Sequence, residues 1–368
     1  MPAPGRDSEP GGEAAARREG VEPGLVLGRV LLALVPYAAT GVERAERARQ
    51  AAGRLEVALG VLTAASEGEA AGEGYAAGGV TARVRIELAT ALRYLPPRLE
   101  DAVGLLTTAL AEAGGDPELR LAALVCLARV HRSRSARDDD PAALEDAADA
   151  YARARRLVPR DGDAYAELLP EWGDVLLDRA RAAGGRRFTG SAVRVLRESR
   201  AAVPQTDPRT AQRLLRLAAG LRLRHAYEGD LVDLREAEYL LELAVRQSRR
   251  PLERARAWRE HGDVQQEIHA DTRTPDRLDR AADSYRRSWR AALEADVEAD
   301  GEELRDTALH LAARVQELRG EALERLARPR AALDAYRAAL ELWQRLGDAA
   351  TDRREAIRSR VRTLESTL

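Results

Sequence analysis

An alanine, three residues, a leucine or tyrosine, two more residues, and then an alanine or serine: this pattern recurs six times, and nothing else in the chain constrains its fold as tightly. It stands at Ala102-Leu106-Ala109, Ala147-Tyr151-Ala154, Ala192-Leu196-Ser199, Ala237-Leu241-Ala244, Ala281-Tyr285-Ser288 and Ala332-Tyr336-Ala339. The first positions are 45, 45, 45, 44 and 51 residues apart. Positions i, i+4 and i+7 lie along one stripe of a helix, so each large side chain is flanked above and below by small ones. Such a stripe admits a neighbouring helix closely and fills the gap with the large residue. Repetition at this period is the mark of a stacked repeat array, in which each unit buries its apolar face only against its neighbours.

A second pattern precedes the first. Nineteen residues before the alanine of four repeats stand Ala128, Gly173, Ala218 and Gly262, each with a large residue four positions earlier: Leu124, Leu169, Leu214 and Trp258. Every repeat therefore reads as a first helix, a turn and a second helix. Alanine, leucine, arginine and glutamate dominate while β-branched and aromatic residues are sparse, which favours helices and disfavours a large sheet. At 368 residues the chain is read as one elongated array rather than two or three globular domains. Turn chemistry punctuates it at 114–117 (GGDP), 137–141 (RDDDP), 159–163 (PRDGD), 205–208 (QTDP) and 298–301 (EADG).

LEDAADAYARARRLVP, residues 144–159, closes on Pro159 five residues past Ala154, and Pro204 stands likewise past Ser199. In RGEALERLARPRAALDAYRAALELWQRLGD, residues 319–348, Gly320 precedes Ala332 by twelve. These residues resemble the tetratricopeptide repeat family, in a variant about eleven residues longer than its usual repeat of about 34. The resemblance implies an all-α fold, an α-solenoid of antiparallel helix pairs coiled as a right-handed superhelix, whose first helices line a concave groove for a peptide or protein. On that reading residues 1–20 are a disordered leader, 21–79 hold N-terminal helices that include a diverged first pair, 80–346 form six helix pairs, and 347–368 are a capping helix. A second flexible stretch is expected at 67–79.

Composition narrows the chemistry. The chain has no lysine, which excludes a Walker A loop, a pyridoxal Schiff base, a protein kinase and a serine–lysine acylase. Neither lysine nor asparagine occurs, a bias that fits a GC-rich bacterial genome. A formal charge of −2 supplies no field to draw in nucleic acid or an anionic membrane, and only the arginine-rich stretch 354–362 hints at RNA. The single cysteine, Cys126, permits no internal disulfide and reads as a small buried hydrophobe. Residues 24–40, GLVLGRVLLALVPYAAT, are interrupted by Arg29 and Pro36 and too short to span a bilayer, so they are read as a buried first helix and the chain as cytoplasmic.

Candidate sites are few. His225 and His269 both stand twelve residues before their repeat's alanine and read as equivalent structural positions. His261 and His269 are eight apart, about 12 Å along a helix, so no metal is assigned. The stretch 296–304 opens like a calcium loop with Asp296, Glu298, Asp300 and Gly301, but Thr307 stands where the bidentate glutamate belongs. Residues 183–190, with Arg186 and Arg187 among glycines, read as an inter-helix turn and not a phosphate cradle. No catalytic pair, elbow or cofactor motif stands out.

What remains is surface. Carrying over the family's groove positions selects Arg129, Arg132, Asp174, Asp178, Gln212, Arg222, Arg256, Asp263 and Gln266, with signs that alternate between repeats. The expectation is a non-enzymatic scaffold without a cofactor that binds a protein or peptide there. Long-repeat arrays of this kind resemble those that accompany CHAT peptidases or signalling ATPases, so regulation of a separately encoded effector is the implied role. The alternative is a small-molecule or nucleotide sensor with a pocket inside the superhelix. Homo-oligomers are compatible with both.

Overall fold

In the computed structural model, residues 10–38, 40–68, 74–183, 185–295, 299–346 and 351–368 are described. They form helices and connecting turns, with no strand among them. Two compact units divide the chain, residues 1–183 and 184–368. Unit 1 holds α1 (Pro10–Leu34), α2 (Gly41–Gly68), α3 (Gly74–Leu92), α4 (Leu99–Glu112), α5 (Pro117–Asp138), α6 (Pro141–Arg155) and α7 (Asp163–Ala182), with short 3₁₀ turns at Val35–Tyr37 and Pro96–Arg98. Unit 2 holds α8 (Arg186–Ala201), α9 (Thr210–Glu228), α10 (Leu231–Gln247), α11 (Pro251–Thr272), α12 (Asp276–Glu294), α13 (Ala299–Arg325), α14 (Pro329–Arg345) and α15 (Thr351–Thr367). The fold class is all-α, and within each unit consecutive helices stack as in an α-solenoid.

The helix ends follow from local chemistry. Asp116, Asp140 and Asp230 cap α5, α6 and α10 by accepting the first free backbone N–H groups. Proline stands in the first turn of α5, α6, α11 and α14, where its missing N–H costs nothing. Packed neighbours run antiparallel: along α12, Ser284 meets His261 and Ser288 meets the carbonyl of Ala255 further back on α11.

All eighteen residues of the six alanine–large–small triplets are at most 3% exposed. Their stripe is the seam between helices, and burying one such leucine or tyrosine contributes about 1.5–3 kcal/mol. First-helix glycines show how tight the seam is. A Cβ on Gly262 would come within 2.5 Å of the Tyr285 ring, and one on Gly320 within 2.7 Å of the Tyr336 ring. Leu55 bears the same relation to Gly28, at 3.1 Å. Leu55 belongs to a seventh triplet, Ala51-Leu55-Ala58, buried to 0%, 0% and 2%. The first pair, α1 and α2, thus carries the same stripe, set 51 residues before Ala102.

Other expectations need correction. Residues 24–34 are not wholly buried: Leu25 and Gly28 face inward, but Val26, Leu27, Val30 and Leu34 are exposed, because α1 is packed on one side only. The expected turn at 298–301 is short by several residues, since α13 already runs from Ala299. Parts of six expectations fall outside the described residues: 1–9 of the leader, 39 of the stretch 24–40, 69–73 of the second flexible stretch, 184 of the stretch 183–190, 296–298 of the calcium-like run, and 347–350 of the cap. At the far end α15 lays Ile357 and Val361 on the terminal core cluster and turns its charges outward.

Candidate functional site

First-helix polar residues recur at fixed offsets before each second-helix alanine, and those offsets decide what they meet. Arg132 on α5 and Arg222 on α9 both stand fifteen residues before their alanines. The next first helix of each unit carries carboxylates eighteen and fourteen residues before its own: Asp174 and Asp178 on α7, Asp263 and Glu267 on α11. Four residues apart, each pair shares a helix face. Arg132 places Nη2 2.7 Å from Asp178 and Nη1 3.9 Å from Asp174. Arg222 places Nη2 2.6 Å from Glu267 and Nη1 3.5 Å from Asp263, and it also pairs with Glu260. The alternating signs seen along the sequence are therefore one guanidinium answered by the carboxylates of the following repeat.

Tyrosines of the seam join these networks. Arg129 grips Glu171 with both arms of its guanidinium, at 2.5 and 2.7 Å, and the Tyr151 hydroxyl donates to the same carboxylate at 2.7 Å. The Tyr285 hydroxyl donates to Asp263 at 2.6 Å and accepts from the Gln266 amide. Burial opposes ionisation of Glu171, yet the hydrogen bonds and charge of Arg129 outweigh it and hold the carboxyl below its ordinary range. Burial, and then the adjacent carboxylate, pushes both tyrosine hydroxyls up and keeps them neutral donors. Burial alone would lower Arg222; Glu267 and its acidic neighbours more than offset that and hold it cationic.

Seven of the nine selected residues, Arg129, Arg132, Asp174, Asp178, Arg222, Asp263 and Gln266, thus lie in contacts that tie one helix to another. Gln212 and Arg256 are exposed. Glu171, Glu260 and Glu267 complete the networks and were passed over by the sequence reading, although they sit at regular offsets of 21, 21 and 14 residues.

Arg256 has a different setting. With Arg259 and Glu260 of α11, Leu215, Arg216 and Ala219 of α9, and Leu304 and Thr307 of α13, it lines a cavity of about 480 Å³ across three successive first helices. Three arginines and one glutamate line it, and Arg259 pairs with that Glu260. The walls also offer leucine side chains, so the cavity suits a ligand with an anionic end and an apolar body.

The histidines divide by burial. His225 and His269 make the same bond, each ring Nδ1 lying about 3 Å from a backbone carbonyl five residues on, at Asp230 (3.0 Å) and Thr274 (2.9 Å). Both tie a first helix to the turn behind it. His261 is buried, and burial lowers it to about 4, so the ring is neutral near pH 7. Cys126 is buried as well, and burial pushes its thiol up.

No protein-family profile matches the chain, and no curated protein matches it. Among solved structures it is similar to BtubC (BKLC) from P. vanneervenii, at 15% identity and a TM-score of 0.44, over 66% of this chain and 92% of that one. It is also similar to a Signal Transduction ATPase with Numerous Domains from Pyrococcus horikoshii that has a tetratricopeptide repeat sensor, at 13% identity and a TM-score of 0.36, over 86% of this chain and 46% of that one. A circular tandem repeat protein follows at 16% identity and a TM-score of 0.30, over 96% and 90%. Among the described residues no helix is long and apolar enough to cross a membrane.

Proposed function

We propose that this chain is a non-enzymatic, cytoplasmic helical-repeat scaffold of the tetratricopeptide type that binds a protein or peptide along its first helices and regulates a separately encoded effector. The observation that carries the reading is the arginine-lined cavity on α9, α11 and α13. At the cavity an acidic side chain followed by an apolar one would meet Arg216, Arg256 and Arg259 and then Leu215 and Leu304. A few anchors of this kind supply most of the affinity of a groove-bound peptide.

The same cavity favours a second reading, a sensor of a small anionic ligand such as a nucleotide, because about 480 Å³ falls within the range of small-molecule sites. One titration separates the two. Fluorescence anisotropy of the full chain with labelled acidic, leucine-containing peptides should give saturable binding that Arg256→Glu, an exposed substitution, weakens by at least about tenfold. Binding that Arg256→Glu leaves unchanged would move the site elsewhere on the chain. Saturable binding of a labelled nucleoside triphosphate, with no peptide binding, would replace the scaffold by the sensor.

A further inference from the structure

We propose that Glu238, Glu242 and His261 form a divalent transition-metal site between α10 and α11, remote in chemistry from the arginine-lined cavity. Glu238 and Glu242 are four residues apart on α10 and share one of its faces. His261 lies on the stretch of α11 packed against them, and one donor atom from each residue falls within 4.8 Å of the others. Sequence spacing weighs His261 only against His269 on its own helix; packing supplies the carboxylates from the preceding one.

The hydrogen bonds fix which imidazole nitrogen can take an ion. Ser284 donates its hydroxyl proton to the carbonyl of Arg280 at 2.7 Å. The same hydroxyl oxygen lies 2.8 Å from His261 Nδ1 and, its proton committed, accepts from that nitrogen. The ring proton is therefore on Nδ1, and the Nε2 lone pair points the other way. It accepts from the Gln265 amide at 3.3 Å, the same amide that donates to Glu238, and lies 4.0 Å from Glu242 Oε1, so an ion bound there takes the place of that amide. An imidazole whose far N–H is held by a protein acceptor is the arrangement that orients histidine ligands at metal centres.

Each carboxylate also keeps an oxygen for the ion. On Glu238, Arg277 at 2.7 Å, Gln265 at 2.8 Å and Arg280 at 3.5 Å all bond Oε1, and Oε2 has no partner among the described residues. Among the described residues Glu242 makes no hydrogen bond, and Arg246 lies 3.9 Å from it. It is also 46% exposed and gives the ion a way in from solvent, whereas His261 and Gln265 are 6% and 0% exposed and form the floor. One nitrogen and two oxygen donors suit Zn²⁺ and its first-row neighbours. Arg277 and, at 3.5 Å, Arg280 balance the charge of Glu238.

Isothermal titration of the full chain with ZnCl₂ near neutral pH should show a saturable site, with Co²⁺ giving visible absorption bands of a mixed nitrogen and oxygen set. Glu242→Gln, on a half-exposed side chain that the fold does not need, should weaken binding by at least about tenfold, and His261→Gln likewise. His269→Gln should change nothing. Circular dichroism of Glu242→Gln checks that helicity is intact. Absence of zinc binding by the parent chain, or binding by Glu242→Gln and His261→Gln equal to the parent's, would overturn the site.

Discussion

Unit 1 and unit 2 carry one register of first-helix positions and fill it with opposite chemistry. Eighteen residues before the second-helix alanine stands Arg129 in unit 1 and Ala219 in unit 2; twenty-one before it on the following first helix stand Glu171 and Glu260. In unit 1 the Arg129 guanidinium covers Glu171. In unit 2 the side chain stops at the Cβ of Ala219, Glu260 turns to Arg222 and Arg259, and the cavity remains. Around it Arg216, Arg256 and Arg259 stand where unit 1 has Cys126, Glu167 and Pro170. The seams are alike, so the difference teaches that a handful of first-helix offsets can change the surface without changing the stacking.

The comparison can be broken most forcefully at the seams. Tyr151→Ala and Tyr285→Ala should each cost about 3–5 kcal/mol in thermal or denaturant unfolding, since both rings are at most 1% exposed. A large loss in one and none in the other would show that the two seams are not equivalent. Next comes the pair that only unit 1 has. Arg129→Ala should cost about 1–3 kcal/mol by leaving Glu171 half-buried with only the Tyr151 hydroxyl, and a melt equal to the parent's would reduce that pair to decoration.

Ala219→Arg makes the reciprocal change. A guanidinium placed beside Glu260 should close the cavity and lower peptide affinity by at least about tenfold, while stability moves by less than about 1 kcal/mol. Undiminished binding would mean that the cavity is not where the partner sits. The smallest effect is on pH. Glu171 has a folded pKa below its ordinary 4.5, so its contribution is complete above that value and is lost as pH falls through the lower folded one. The stability difference between the parent and Arg129→Ala should hold from neutrality down to about pH 5 and shrink below it; a difference that grows in acid would reverse the sign assigned to the pair.

The seam residues were legible because a helix stripe needs only one helix to be recognised. Ala147, Tyr151 and Ala154 announce themselves by spacing alone, and so does Ala51-Leu55-Ala58 once the interval is allowed to stretch to 51. The pairing of Arg132 with Asp178 was not legible. It joins residues 46 apart on different helices, and the sequence displays only that their signs alternate. The cavity was hidden for a related reason: Ala219 matters by the absence of the side chain that Arg129 supplies in the other unit. Exposure of Val26 and Val30 escaped because apolar residues crowd every side of α1, which obscures which side is packed.

The glycines under the rings of Tyr285 and Tyr336, and under Leu55, bear on how such a chain can change over time. A Cβ at Gly262 or Gly320 collides with its ring, so those two positions are locked to their partners and must change together or not at all. Arg256 and Gln212, by contrast, are exposed. A lineage could therefore rewrite the surface at Arg256 or Gln212 one substitution at a time, while the spine of glycines, alanines and rings passes through unaltered.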